Sequence, residues 1–195
     1  MKKIIIILIA LLVLCGAFFS CTYNKMVALE ESVTASWAQV QNQYQRRLDL
    51  VPNLVSTVKG YATHEERVFK EVTDARSKAG GVVQVSDDIL NDPEKLKKFQ
   101  EAQDQLSGSL QRLLAVSENY PELKANENFL SLQDQLEGTE NRIATERKRF
   151  NDTVKTYNTY IRRFPNNMIA GMFGFDKKAF FQADENAQTA PKVEF

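Results

Sequence analysis

The residues that could do chemistry in this 195-residue sequence are few, and their spacing forms no catalytic or metal-binding pattern. The one histidine, His64, is followed by Glu65 and Glu66. A zinc site takes about four ligands, and a serine or cysteine nucleophile needs both a histidine and a carboxylate that orients it. We therefore predict that His64 is a satisfied or solvent-exposed side chain and that the protein is not an enzyme.

Signals for ligand binding are equally sparse. The pair Gly80-Gly81 lacks the Lys-Ser/Thr that completes a phosphate-binding loop. Lys plus Arg and Asp plus Glu number 25 each, so no basic excess points to nucleic acid. The sequence predicts no cofactor, no metal, no nucleic-acid partner and no small-molecule substrate.

Residues 1–23 have the composition of a membrane segment. Met1-Lys2-Lys3 precedes the apolar run IIIILIALLVLCGAFF, residues 4–19, and no further charge appears before Lys25. Extended to Tyr23, the segment is about 30 Å long as a helix, which matches a hydrocarbon core. Lysines before the span favour a cytoplasmic N-terminus. The sequence therefore predicts a single-pass membrane protein with its domain outside the cytoplasm.

Cys21 provides an alternative anchor, because it follows Phe18-Phe19-Ser20 in the manner of a bacterial lipoprotein processing site. Phe18 departs from the leucine usual at its position. Cys21 is thus a candidate lipidation site, and a cleaved secretory signal is a third interpretation. Both cysteines, Cys15 and Cys21, lie in this segment, so the exported domain has no disulfide.

Apolar residues spaced three and four apart predict helices, and the alternation typical of strands is nowhere sustained. One run extends from Val33 to Ala79. A second begins after Asp92, an expected N-cap, and a third extends from Phe129 to Ile161. Residues 80–91 are predicted to be a linker. The fold class is therefore all-α.

Pro52 decides how the first run is divided. A proline inside a helix costs about 3 kcal/mol, whereas Arg46 and Arg47 suit a last helical turn and Asp49 could cap a following helix. The favoured interpretation is a turn at residues 48–52 and an antiparallel up-down four-helix bundle with helices at 26–49, 52–80, 93–119 and 124–163. The alternatives are three long helices with the first kinked at Pro52, and a break between Gly60 and Glu66.

Three blocks of sequence resemble the LemA family of bacterial membrane-associated proteins. They are QVQNQYQRRLDLVPNLVSTVKGYATHE, KANENFLSLQDQLEGTENRIATERKRFNDTVKTYNTYIRRFPNN and AGMFGFDKKAFF. The resemblance implies an N-terminal membrane segment and a four-helix bundle, and it brings no catalytic residues. We expect an anchor at 1–23, a LemA-like helical domain at 24–181 and a flexible tail at 182–195.

Charged residues within the apolar seams suggest one internal contact. Antiparallel first and last helices would bring Arg47, or its neighbour Arg46, close to Glu140 or Glu137, and we hypothesise an ion pair that fixes their register. The alternative is that these long side chains reach solvent from the edge of the seam. The same register predicts that Trp37 is buried near Phe150 or Val154.

The segment after Arg163, FPNNMIAGMFGFDKKAFF, is rich in large apolar residues. A turn at Pro52 would place it at the membrane-proximal end of the domain, whereas a single kinked first helix would leave it far from the membrane. We expect it either to close the end of the core or to contact the membrane or a partner through six residues: Met168, Met172, Phe173, Phe175, Phe180 and Phe181. The predicted function is a non-catalytic module that binds an unidentified protein partner or organises the envelope; the alternative is a lipid-contacting or lipid-sensing accessory subunit.

Overall fold

A computed structural model describes residues 2–83 and 87–182 of the chain. Within these residues there is no strand, and the all-α prediction is confirmed. The helices are α1 Lys2–Lys59, α2 Glu66–Val83, α3 Pro93–Val116, α4 Pro121–Lys124, α5 Glu127–Arg162 and α6 Asn166–Phe173. Most of the predicted tail, 183–195, lies outside the described residues.

Helix α1 carries the apolar N-terminal segment and the first helix of the domain without a break. Its N-terminal part is long and apolar enough to cross a membrane. Residues 4–21 are exposed, and contact with the rest of the protein begins at Thr22 and Met26, which are 4% and 0% exposed. The span and the domain therefore share one helical rod.

The predicted turn at residues 48–52 is wrong, because α1 continues through Pro52. Proline has no N–H to donate to the carbonyl oxygen four residues earlier, that of Leu48. The side chain of Arg76 in α2 takes over this role, with its Nε donating to the Leu48 oxygen at 2.9 Å. Helix α1 ends instead at Lys59, and the turn into α2 spans residues 60–65, the alternative break considered above.

We expect Arg76 and Pro52 to be coupled in stability. Arg76→Ala should lower the free energy of unfolding by about 1–2 kcal/mol, because it leaves a part-buried carbonyl without a donor. In a Pro52→Ala background, Ala at position 52 would supply the missing N–H, so the cost of Arg76→Ala should fall by about 1 kcal/mol. Urea unfolding of the full chain in detergent, followed by Trp37 fluorescence, measures both values. Equal costs in the two backgrounds would contradict this explanation of how α1 accommodates Pro52.

The long helices alternate in direction, but the predicted helix boundaries 26–49 and 52–80 are wrong, because α1 ends at Lys59 and α2 begins at Glu66. Helices α1 and α5 share the most extensive contact, followed by α2 with α3 and then α1 with α2. Contacts of Trp37 with Phe150 and of Arg47 with Glu140 follow a strict antiparallel register between α1 and α5. The extramembrane part of α1 is therefore matched along its length by α5, while α2 and α3 are shorter.

The connections after α2 also differ from the prediction in part. Residues 80–83, assigned to a linker, continue α2, and residues 87–90 form a 3-10 turn. Asp92 is the N-cap of α3, accepting hydrogen bonds from the backbone N–H groups of Glu94 and Lys95, as predicted. Asn126 caps α5 in the same way through Phe129 N–H, at 3.0 Å.

Trp37 lies at the centre of the core, as predicted. Its side chain is 2% exposed and its ring centroid lies 5.5 Å from that of Phe150. Phe99 of α3 packs on its other side, with centroids 5.3 Å apart. The core thus joins α1, α3 and α5 at this level.

Candidate membrane-proximal site

Helix α6 lies beside the point where α1 leaves the apolar segment. Tyr23 of α1 makes edge contacts with Phe173 at 5.0 Å and with Phe175 at 5.6 Å between ring centroids. The segment therefore lies at the membrane-proximal end of the domain although α1 has no turn at Pro52. The prediction that this position requires a turn at Pro52 was wrong, because α5 is long enough to return along the whole extramembrane part of α1.

Helix α6 is apolar on two faces, of which only one is covered. Ile169 and Ala170 are buried against the domain, at 2% and 4% exposure. Phe164, Met168, Met172 and Phe173 are 81%, 63%, 70% and 54% exposed. Large apolar side chains that stay uncovered in a contiguous patch usually mark a contact surface. We call these four residues, of which Phe164 lies two positions before the helix, the α6 apolar face.

After Gly174, which adopts a left-handed conformation with φ 75° that favours glycine, the chain leaves the helix. Residues 175–182, here called the strap, are not helical and run back along the domain. Asn158 of α5 accepts from the backbone N–H of Lys178 at 3.0 Å and donates to its carbonyl oxygen at 2.9 Å. Asn151 makes the same pair of hydrogen bonds with the backbone of Phe181, accepting from its N–H at 2.9 Å and donating to its carbonyl oxygen at 3.1 Å.

The strap also contacts the opposite side of the domain. Ala179 N–H donates to the carbonyl oxygen of Leu90 at 2.8 Å, and Gln100 of α3 donates from Nε2 to the Gln182 carbonyl oxygen at 3.0 Å. Lys178 Nζ lies 2.6 Å from Glu30 Oε1 in α1. The strap therefore ties α5 to both α1 and α3.

Two of the six residues predicted to contact a membrane or partner are covered in this arrangement. Phe181 is 5% exposed and packs against Trp37, Phe99 and Phe150, so its prediction as a contact residue is wrong. Phe175 is half-buried against Tyr23. Phe180 is 43% exposed. The strap thus completes the core with Phe181, whereas the adjacent Phe180 faces outward.

The hydroxyl of Tyr157 anchors the start of the strap. It donates to the carbonyl oxygen of Asp176 at 3.0 Å. Burial raises the pKa of Tyr157 above its ordinary value, and the negative charges of Glu30 and Asp176 raise it further. The hydroxyl therefore remains a protonated donor across the physiological pH range.

Arg47 forms a polar cluster in the middle of the domain. Its Nη1 lies 3.0 Å from Glu140 Oε1 and donates to Ser107 Oγ at 2.7 Å. Its Nη2 donates to both the backbone oxygen and the side-chain oxygen of Gln103. Arg47 is 2% exposed, while the Glu140 side chain is 41% exposed. The neighbouring Arg46 is exposed, and it is Arg47, not Arg46, that the structure places against Glu140.

The residues considered for chemistry lie apart from these contacts. His64 is exposed in the turn between α1 and α2, at the opposite end of the domain from α6. Among the described residues, no group of three or more His, Cys, Asp or Glu is arranged to hold a metal ion. Cys21 is exposed on α1, one residue before the domain contacts begin at Thr22.

Comparison with known proteins identifies the chain's relatives. The model of the LemA family matches residues 36–195, which is more than half of the sequence. The chain belongs to the LemA family. The resemblance found in the three sequence blocks is thereby confirmed. LemA-family membership agrees with the helical fold and with the apolar N-terminal helix.

Three relatives show how similar this chain is to other proteins of known name. Magnetosome protein MamQ 2 of Paramagnetospirillum magneticum is 28% identical over 179 residues, covering 82% of this chain and 64% of its own length. Magnetosome protein MamQ of Magnetospirillum gryphiswaldense is 27% identical, with the same coverage of 82% and 64%. Protein LemA of Metamycoplasma hominis is 24% identical over 162 residues, covering 83% of this chain and 69% of its own length. This chain thus spans less than two thirds of the length of these MamQ proteins.

Sequence reasoning missed the asparagines that hold the strap. Asn151 and Asn158 lie seven residues apart, so they share one face of α5, beside the apolar seam. This spacing was the available signal. Without the path of the strap, however, two amide side chains at the edge of a seam could not be distinguished from solvent-exposed residues.

Proposed function

We propose that this LemA-family protein is a single-pass, membrane-anchored and non-catalytic helical module that acts at the membrane surface outside the cytoplasm. The observation that carries the proposal is the α6 apolar face, uncovered and directly beside the exit of the apolar segment of α1. An amphipathic or doubly apolar helix in that position suits the boundary between headgroups and acyl chains. The module would use this face to bind a protein partner or to organise the envelope.

The proposed orientation rests on charge around the span. Lys2 and Lys3 precede the apolar run and favour a cytoplasmic N-terminus. A lipid on Cys21 is the alternative anchor, and it would hold the same end of the domain at the same surface. Mass spectrometry of the mature protein separates the two anchors, since one predicts an intact Met1 terminus and the other a lipid-modified Cys21. A soluble form that begins after residue 19 without lipid would contradict both.

The non-catalytic part of the proposal is supported by the placement of His64. It lies exposed at the end of the domain farthest from α6, whereas general acid–base catalysis uses a histidine positioned within reach of bound substrate. The polar cluster around Arg47 is built from groups that bond to one another. The geometry of this cluster suits a role in fixing the register of the helices better than a role in substrate binding.

A second candidate function, a lipid-contacting or lipid-sensing accessory subunit, is favoured by the same face if it enters the bilayer. The test uses the full chain in phospholipid vesicles with Cys15 and Cys21 replaced by alanine. A spin label at Met172→Cys should be accessible to oxygen and protected from a water-soluble nickel complex, as expected of a lipid-embedded site. The matched control, Asn167→Cys on the same helix, is exposed and polar and should show the reverse.

Two other results are informative. Equal access of the nickel complex to Met172→Cys and Asn167→Cys would contradict membrane contact and leave protein binding as the role of the α6 apolar face. Protection of both sites from oxygen and nickel would mean that protein covers the helix. Either result removes the lipid-contacting alternative.

A further inference from the structure

A cavity of about 510 Å³ opens beside the strap in the membrane-proximal half of the domain. Its walls come from the start of α3, the last two turns of α5 and the strap itself. Its lining includes Lys155, Thr159 and Arg162 of α5 and Lys177, Lys178 and Phe180 of the strap. Because half of all the lining residues belong to the strap, the cavity exists only while the strap is in place.

The lining of the cavity is positively charged. Among the residues that the structure describes, it contains four cationic side chains and no carboxylate. Lys178 is engaged elsewhere, since its Nζ lies 2.6 Å from Glu30 and its side chain is 10% exposed. Lys155, Arg162 and Lys177 are exposed, and among the residues that the structure describes no carboxylate lies within ion-pair distance of them. Uncompensated cations around one concavity attract an anion.

The height of the cavity fits the headgroup region of a bilayer. Arg162 is the last residue of α5, and α6, the proposed membrane contact, begins at Asn166. Lys155 lies seven residues earlier on α5, about 10 Å farther from the membrane. Phe180, 43% exposed, provides an apolar wall beside these charges.

We propose that this cavity binds the phosphate of an anionic phospholipid headgroup. The inference rests on the proposed function, in which α6 faces the membrane. The planar guanidinium of Arg162 can donate two parallel hydrogen bonds to phosphate oxygens. Lys155 and Lys177 act as point charges, and the Thr159 hydroxyl is a further donor at the same wall. A soluble phosphate ester shares this chemistry, but the position beside the span favours a lipid.

The test measures binding of dioctanoyl-phosphatidylglycerol to the full chain in neutral detergent by isothermal titration calorimetry. The double variant Lys155→Ala/Lys177→Ala should weaken binding about thirtyfold, as expected for two lost phosphate contacts. The matched control is Lys25→Ala/Arg163→Ala, which removes the same charge from exposed positions outside the cavity and at least as close to the span. Its effect should be less than about threefold.

Three outcomes would overturn the proposal. Equal weakening in the two double variants would show a general positive field rather than a site. Binding of dioctanoyl-phosphatidylcholine as tight as that of phosphatidylglycerol would exclude recognition of net negative charge. Binding of glycerol 3-phosphate as tight as that of the lipid would assign the site to a soluble phosphate ester. None of these results changes the spin-label outcome at Met172→Cys, so failure of the headgroup site is distinguishable from failure of the proposed function.

Discussion

Replacing Phe181 by alanine is expected to lower the free energy of unfolding by about 3–5 kcal/mol, the range for truncating a buried phenylalanine. The ring is 5% exposed and contacts three core aromatics, with centroid distances of 5.8 Å to Trp37, 6.4 Å to Phe99 and 5.4 Å to Phe150. The Arg147 guanidinium lies over its outer side, 4.8 Å from the ring centroid. The strap, although it is not helical, therefore contributes to the core of the domain.

Phe180 provides the matched control, since it is the adjacent residue of the same type and is 43% exposed. Phe180→Ala should change stability by less than about 1 kcal/mol. Urea unfolding of the full chain in detergent, followed by Trp37 fluorescence, measures both variants. Comparable losses at Phe180 and Phe181 would show that the strap stabilises the domain by general apolar contact, contrary to the packing described here.

Arg47→Ala is expected to destabilise the protein by about 3–5 kcal/mol, because it leaves at least two buried acceptors without a donor, at about 1–3 kcal/mol each, and removes a buried, well-packed side chain. The buried backbone and side-chain oxygens of Gln103 would lose their donor, and Ser107 would lose one partner. Glu140 is 41% exposed and can recover water after this change. Glu140→Ala instead leaves the guanidinium of Arg47, 2% exposed, without its counter-charge, and it should also cost about 3–5 kcal/mol.

The neighbouring Arg46 provides a control for the predicted effect of Arg47→Ala. It is exposed, so Arg46→Ala should change stability by no more than about 0.5 kcal/mol. A double-mutant cycle of Arg47→Ala with Glu140→Ala isolates the ion pair. If the two destabilisations simply add, the proposal that this pair fixes the register of α1 and α5 is lost.

Features that depend on local pattern and uniform register were predictable from the sequence. The N-cap at Asp92 follows from its side chain and the proline after it. The burial of Trp37 against Phe150, and the approach of Arg47 to Glu140, follow from two antiparallel helices with continuous seams. Each required only helical periodicity and the relative direction of two elements.

Pro52 shows why the first turn was misplaced. The local rule assigns about 3 kcal/mol to a proline inside a helix, and Arg46, Arg47 and Asp49 all fitted a helix end. The compensation comes from Arg76, which lies 28 residues after Leu48, and its bond to the Leu48 oxygen is a tertiary contact. The unbroken seam across Pro52 was the better evidence, because burial along a whole helix outweighs one lost hydrogen bond.

Which phenylalanines of the C-terminal segment are buried could not be predicted from the sequence, for a related reason. Its phenylalanines are alike in composition, and no helical or strand period orders those of the strap. Whether Phe180 or Phe181 faces inward is decided by the two-bonded contacts of Asn151 and Asn158 with the strap backbone. These contacts set the register of an irregular chain from a helix face that is distant in sequence.

The claim that the first domain helix continues unbroken through Pro52 is tested most directly by one distance. Lys25 and Lys59 are both exposed on α1. The distance between spin labels at Lys25→Cys and Lys59→Cys can be measured by double electron–electron resonance in the full chain with Cys15 and Cys21 replaced by alanine. A continuous helix through Pro52 predicts a separation of about 50 Å from 34 residues at about 1.5 Å each. A turn at Pro52 would fold the last residues back and give about 30 Å, which would contradict the structure described here.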